Sequence, residues 1–287
     1  MNSVPAPVTS TVDRELIERF GRNGFVVVPG VFTDAELDHF GPAVDAAVAD
    51  DMAHDDRALA EKSRYEQSFM QCLYLWTRYP DVVPFTCHPR LARIAAQLLG
   101  ADGVRVWHDQ ALYKEPGGRP TDPHQDQPYW PIAEPRTVTA WIPLDGSTRA
   151  GGGMAYYPGS HLVGLERFVD IFGEDAPPDI GDDPALTGIQ PVPVDVARGA
   201  VAFHHGFTAH FAEPNHTDRV RRVHTVIYLA DGCHRSDDRP HLSVDFDTIL
   251  PGGLINGMLT PVLWPRPDGD LPTPPASVGG RRRAPRL

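Results

Sequence analysis

The sequence predicts an α+β chain, mainly β, with N-terminal helices packed on one face of a curled antiparallel sheet. Three observations lead there. Apolar residues at helical spacing, with helix start and stop signals, are confined to roughly the first hundred residues. From Val104 onward, short apolar or alternating runs are separated by Gly, Pro, Asn and Asp turns, the pattern of a sandwich or barrel. With 287 residues, 41% of them hydrophobic, the chain can bury one sizeable core.

Asp13 to Phe20 carries Leu16, Ile17 and Phe20 at helical spacing, and Asn23-Gly24 ends that helix. Phe25-Val26-Val27-Val28 follows as a short buried strand stopped by Pro29-Gly30. Thr33-Asp34-Ala35-Glu36 is a capping box, in which the Thr hydroxyl and the Glu carboxylate each take a free backbone N–H of the first turn. The helix it opens should reach about Asp50. Tyr65 to Phe85 holds Phe69, Met70, Tyr74, Trp76 and Tyr79, which suits either a pocket wall or flap, or a helix core. A third helix is expected from Pro89 to Leu99, stopped by Gly100. Strands are expected over 104–113, 124–127, 137–144, 154–157, 200–203, 208–212 and 221–229. In the third of these, Thr137, Thr139 and Trp141 alternate with Val138, Ala140 and Ile142, so its two faces should meet different environments. The connection from Ser160 to Val192 carries Asp170, Glu174, Asp175, Asp179, Asp182 and Asp183, and reads as a solvated acidic loop or a mobile lid.

Composition removes several function classes. A formal charge of −12 argues against a broad nucleic-acid surface, which needs clustered positive charge. The one basic cluster, Arg281, Arg282, Arg283 and Arg286, sits in a Pro/Gly-rich end that reads as a disordered tail. Cys72, Cys87 and Cys233 are odd in number and widely spaced, as expected of reduced structural thiols. No apolar run approaches the roughly 20 residues of a membrane span, and Met1 to Thr9 lacks a signal peptide's charged start and apolar middle. A soluble, cytoplasmic protein without a membrane partner is the expectation; the sequence carries no mark of an oligomeric state.

The chemistry concentrates in Pro123-His124-Gln125-Asp126-Gln127-Pro128-Tyr129-Trp130. If this segment is a strand, His124 and Asp126 at i and i+2 share one face and can grip one ion. A second His would complete the two-His-one-carboxylate triad of non-haem Fe(II) oxygenases. Of thirteen histidines, His204, His205, His210, His216 and His224 fall in the final strands. His204 and His205 are neighbours and face opposite sides. His210 comes just before a Pro214-Asn215 turn, after which the chain returns through Arg221. If 214–219 forms the turn, His210 and Arg221 lie close across a hairpin. A guanidinium so placed would pair bidentately with the far carboxylate of a 2-oxo diacid whose other end meets the metal.

These residues and their order resemble the phytanoyl-CoA dioxygenase family of Fe(II)/2-oxoglutarate-dependent oxygenases. The resemblance rests on Gly24-Phe25-Val26-Val27, Leu98-Leu99-Gly100, Tyr113-Lys114-Glu115-Pro116-Gly117, His124-Gln125-Asp126, Trp141-Ile142-Pro143-Leu144-Asp145, Pro158-Gly159-Ser160-His161, and His210 with Pro214-Asn215 and Arg221. It implies a double-stranded β-helix (jelly-roll, cupin-like) core with the helices buttressing one sheet. The chain would then be a single domain over 1–287, with a helical part at about 11–100, the core at about 104–232, and a C-terminal extension whose tail, 266–287, is disordered.

The resemblance also assigns roles. His124, Asp126 and His210 become the Fe(II) ligands and catalytic centre, and Arg221, eleven residues after His210, the clamp for the 2-oxoglutarate 5-carboxylate. Gln110 falls where some relatives contact the co-substrate 1-carboxylate, Thr139 and Trp141 line the same pocket, and Trp130, with Tyr129 before it, lines the substrate pocket. The cofactors implied are Fe(II), 2-oxoglutarate and O₂, and the outcome is oxidation of a C–H bond with release of succinate and CO₂. Halogenating relatives replace the carboxylate by a small residue, so Asp126 disfavours halogenation; desaturation, epoxidation and cyclisation stay open. The partner expected is a small apolar, cyclic metabolite rather than a coenzyme A thioester, because the chain is acidic and has only Lys62 and Lys114 as lysines.

Each assignment has a plainer competitor. His124 and Asp126 could be a surface hydrogen-bonded pair, and Trp141 could be core. His204, His205 and His224 read as packed histidines or partners of the ligands, His161 as a turn anchor, and Arg222 as a salt-bridge residue on the opposite face from Arg221. For the whole chain, the alternatives are a metal-binding jelly-roll enzyme that does not use 2-oxoglutarate, which Arg221 argues against, and a catalytically silent small-molecule-binding relative, which the intact triad argues against.

Overall fold

A computed structural model describes residues 9–266 and 271–275. The N-terminal part contains α1 (Arg14–Asn23), β1 (Phe25–Val28), α2 (Asp34–Asp51), β2 (Met70–Leu73), two short helices α3 (Leu75–Arg78) and α4 (Val83–Thr86), and α5 (Pro89–Leu99). The strand-rich part follows with β3 (Val104–Lys114), β4 (Thr121–His124), β5 (Thr137–Pro143), β6 (Met154–Tyr156), β7 (Val192–Val194), β8 (Val201–His205), β9 (His210–Ala212) and β10 (Arg221–Ala230). A short α6 (Leu242–Asp245) and β11 (Val262–Trp264) complete it.

Local chemistry sets the helix ends. Asp13 accepts a hydrogen bond from the Leu16 N–H, and Gly24, at φ 79°, closes α1 in the left-handed region. The Thr33–Glu36 capping box forms as the sequence predicts, opening α2. α5 starts at Pro89 and ends at Gly100, φ 56°.

The strands make two sheets. One has seven strands in the order β1-β8-β5-β10-β3-β11, with β2 sharing the outer edge of β3; the other has four in the order β4-β9-β6-β7. All pairs are antiparallel. The outer face of the large sheet, through Val26, Val138, Ala140, Val226 and Tyr228, packs against Leu91, Ile94, Ala95 and Leu98 of α5 in the main core. Each fully buried aliphatic side chain there is worth about 1.5–3 kcal/mol against exposure. The inner face, through Trp141, Ala202 and Val223, meets Met154, Tyr156 and Ala212 of the small sheet. This is a jelly-roll sandwich buttressed by helices on one sheet, as expected, and the two faces of β5 do see different surroundings.

Four features differ from the sequence expectation. β4 stops at His124, because Asp126 turns into the right-handed helical region (φ −75°, ψ −48°) ahead of a 3₁₀ turn over Gln127–Tyr129. His210 and Arg221 are not hairpin partners: β9 belongs to the small sheet and β10 to the large one. β2, β7 and β11 were not expected, and β1, β2 and β11 carry the large sheet beyond 104–232 at both ends. The acidic connection is also no bare loop, since Val169, Ile171, Ile180 and Leu186 are buried within it. The three cysteines are buried and unpaired. Most of the 266–287 tail, including the arginine cluster, lies outside the described residues. No helix among the described residues is long and apolar enough to cross a membrane.

Candidate active site

Register brings the histidines together. His124 on β4 stands directly opposite His210 on β9, with ring centroids 4.4 Å apart. The Nδ1 of His124 lies 2.7 Å from the Asp122 carbonyl and that of His210 lies 2.9 Å from the Thr208 carbonyl. A carbonyl only accepts, so each Nδ1 donates to it and each Nε2 is the nitrogen turned into the cavity. Both Nε2 atoms point at one oxygen, Oδ1 of Asp126, at 3.6 and 3.7 Å. Ligand atoms of His124, Asp126 and His210 all lie within 4.8 Å of one another.

Asp126 is aimed from behind. Its Oδ2 accepts from the Thr139 hydroxyl and from His204 Nε2, each at 3.0 Å, and the Tyr156 hydroxyl lies 3.4 Å from the other nitrogen of His204. Burial opposes ionisation of Asp126, yet the imidazoles of His210, His124 and His204 hold its carboxyl well below the usual range. Burial pushes His210 down, which keeps that ring neutral and its lone pair available. Gln125, between the two ligands in sequence, faces the other way: its amide donates to the Leu165 and Phe207 carbonyls and accepts from the Arg167 N–H, fastening the acidic connection beside the site.

Arg221 lies in the same cavity and is 7% exposed. One of its terminal nitrogens donates to the Gly152 carbonyl at 2.6 Å, its Nε has no partner, and its guanidinium carbon sits 5.4 Å from the Trp141 ring centre. No acidic side chain among the described residues pairs with it, and burial lowers its pKa to about 9. A buried cation without a counter-ion is costly, and an anion delivered by a ligand would relieve that cost.

All nine residues singled out from the sequence line one cavity of about 740 Å³ including its open mouth: His124, Asp126, His210, Arg221, Gln110, Thr139, Trp141, Tyr129 and Trp130. Trp141 is both core and wall, at 2% exposure. Gln110 accepts from Gln71 of β2 at 2.6 Å. The Tyr129 hydroxyl donates to the Val169 carbonyl, and its ring meets Phe172 edge-on. Tyr65 and Phe69 line the cavity while Trp76 and Phe85 are buried on the helix side, so the aromatic segment divides between its two readings. Arg222 pairs with Asp45 and Asp145 on the opposite face, His161 contacts the Gly21 carbonyl, and His224 contacts Thr86 away from the cavity.

One residue of the site, His108, escaped the sequence reading. His204, expected as a packed histidine or a partner of the ligands, is the partner of Asp126; alternation with His205 says that the two diverge, but only pairing with β5 says which one faces Asp126. His108 also lines the cavity, and its signal was available: it sits two residues before Gln110 on one strand.

Two imidazoles, one carboxylate oxygen and an unpaired buried guanidinium fit a divalent iron-type ion together with an anionic co-ligand. A family model described as phytanoyl-CoA dioxygenase matches residues 20–223. Phytanoyl-CoA dioxygenase domain-containing protein 1 of Mus musculus is 28% identical over 194 residues, 66% of this chain and 58% of that protein. The chain thus spans about three fifths of the length of the curated mammalian relatives it matches. Among solved structures, the non-haem α-ketoglutarate-dependent carbocyclase SnoK from nogalamycin biosynthesis superposes with a TM-score of 0.73 at 30% identity, covering 88% of this chain and 96% of that one. The epimerase SnoN, in complex with Fe³⁺, α-ketoglutarate and nogalamycin RO, gives 0.71 at 25% identity, covering 87% and 97%.

Proposed function

Because the chain belongs to the phytanoyl-CoA dioxygenase family, we propose that it is a non-haem Fe(II)/2-oxoglutarate-dependent dioxygenase that oxidises an unactivated C–H bond of a small metabolite, with hydroxylation as the primary outcome. One observation carries the reading: three metal-type donors converge in the cavity that also holds Arg221, a buried guanidinium without an acidic partner. A buried cation facing the cavity argues for an anionic co-ligand, which favours this reading over a metal-binding enzyme that does not use 2-oxoglutarate.

In this reading His124, Asp126 and His210 hold Fe(II). With 2-oxoglutarate and O₂, the bound metal supplies the oxidising power, and succinate and CO₂ leave. Arg221 pairs with the far carboxylate of the co-substrate, oriented by the Trp141 face and the Gly152 carbonyl. Thr139 and His204 keep Oδ1 of Asp126 turned to the metal. Gln110 borders the co-substrate end, while Tyr129 and Trp130 wall the substrate end and exclude water. The substrate proposed is an apolar, cyclic natural product, supported by the aromatic wall and by the nogalamycin context of both solved relatives.

The test is spectroscopic. Anaerobic Fe(II) plus 2-oxoglutarate should give a weak metal-to-ligand charge-transfer band in the visible, absent from Asp126→Ala. A wild-type protein with no band, and no succinate release in air with any substrate, rules the reading out.

A further inference from the structure

The cavity has two ends, and strand register separates them. On β10, Arg221 stands opposite Lys114 of β3, whereas Ile227, six residues further on, stands opposite His108. At about 3.3 Å per residue the two backbone positions are roughly 20 Å apart along the sheet, and the Arg221 side chain spans part of that distance, its guanidinium lying 5.4 Å from the ring of Trp141, two residues from Thr139. Thr139 and His204, which hold Asp126, lie in the same row as Ile227 and His108. His108 is therefore level with the triad and at the far end from Arg221.

Around His108 the wall is aromatic. Tyr65 meets Phe69 edge-on at 5.2 Å and Phe172 at 4.7 Å, and Trp130 stands edge-on to the His108 ring at 5.8 Å. The polar atoms of these tyrosines are already engaged: Tyr65 donates to Gln71 and Tyr129 to the Val169 carbonyl. His108 is different. It is 2% exposed and lines the cavity; neither ring nitrogen has a hydrogen-bond partner among the described residues, and while Nδ1 is sealed in the packing, Nε2 is not among the sealed atoms. Burial pushes it down to about 3, so the ring is neutral, with one donor and one acceptor. An unpartnered imidazole nitrogen, Nε2, on a residue in the wall of an aromatic cavity calls for a partner from the ligand.

We infer that the substrate is a flat aromatic or polycyclic compound that packs among these rings and sets a hydroxyl or carbonyl group against His108, which fixes its orientation toward the triad. The inference rests on the oxygenase proposal for the chemistry that follows, but the binding itself needs neither metal nor co-substrate.

The experiment is equilibrium dialysis of the metal-free full chain with 2-naphthol, naphthalene and 1-decanol. Wild type should bind 2-naphthol about tenfold more tightly than naphthalene, the size of one buried hydrogen bond, and more tightly than 1-decanol. In His108→Phe the preference for naphthol over naphthalene should vanish with naphthalene binding retained, while His108→Gln, which keeps a donor and an acceptor, should restore it. If His108→Phe is not folded by circular dichroism, His108→Met serves the same comparison. Equal binding of 2-naphthol and naphthalene by wild type, a preference that survives in the apolar variant, or 1-decanol bound as tightly as 2-naphthol overturns the inference. The anaerobic charge-transfer band separates the two claims: its absence defeats the oxygenase proposal and leaves the dialysis result standing, whereas a band without naphthol preference defeats this inference alone.

Discussion

Thr139 and His204 stand opposite each other in the β5–β8 ladder and both reach the same atom, Oδ2 of Asp126, at 3.0 Å. The pairing distinguishes the two oxygens of the carboxylate, reserving Oδ1 for the two imidazoles. Partners of this kind typically hold 10–100-fold of metal affinity. His204→Phe should therefore weaken Mn(II) binding by about 10–100-fold, with Thr139→Val costing less, and both proteins should keep their fold. Metal titration followed by electron paramagnetic resonance checks this, and unchanged affinity in His204→Phe would show that the ring only fills space.

Arg221 offers a fork that a lysine cannot reproduce. Its contacts with the Gly152 carbonyl and the Trp141 face depend on the planar guanidinium. Arg221→Lys should raise the Kd for 2-oxoglutarate by about 100-fold, the cost of a charge-assisted pair, while Mn(II) affinity changes little. Calorimetric titration of both ligands gives the comparison; equal loss of metal and co-substrate binding would mean that the site has collapsed instead.

Gly24 closes α1 at φ 79°, and an added Cβ would press into the Thr208 hydroxyl and the His161 ring. Thr208 also supplies the carbonyl that orients His210. Gly24→Ala should destabilise the protein by at least about 2 kcal/mol, from backbone strain and the clash together, and should loosen metal binding as well. Thermal melts with and without Mn(II) test both parts. A melting temperature within a degree of wild type would contradict the first.

Asp109, on β3, is fully buried and accepts from the Trp76 N–H and the Thr86 hydroxyl. Burial raises its pKa from 3.8 to about 6. A carboxyl whose folded pKa exceeds its unfolded one binds more protons in the folded state between those values, so stability falls as pH rises through that window. Relative to Asp109→Asn, wild type should lose roughly 2 kcal/mol between pH 4 and pH 6, of about 3 kcal/mol in all, and run parallel to it above about pH 7. Urea melts across the range measure the difference; parallel curves from pH 4 upward would show that the group titrates normally.

Much of this was legible locally. α1, β1 and the capping box of α2 depend on residues within one or two turns, and they formed where expected. The candidate ligands and Arg221 were found for partly wrong reasons. Asp126 reaches the site through a 3₁₀ turn, not by strand alternation, and Arg221 by crossing to the other sheet, not by a hairpin. Both errors come from treating as local what the pairing of distant strands decides. His204 illustrates the same limit, because its direction depends on register with β5. β2 and β11 were missed because each is a short edge whose partner, β3, lies far away in sequence.

The passage of the chain from β9 to β10 places the two grips of the site on opposite sheets, with His210 on one and Arg221 on the other. Trp141, Val223, Met154 and Ala212 are packed between those sheets. In the proposed function the gap they maintain acts as a ruler for the diacid. Which chain length fits would then be a property of the sandwich interior. Drift in co-substrate preference would thus begin with the residues packed between the sheets, Trp141 and Met154 among them, before any change in the metal ligands.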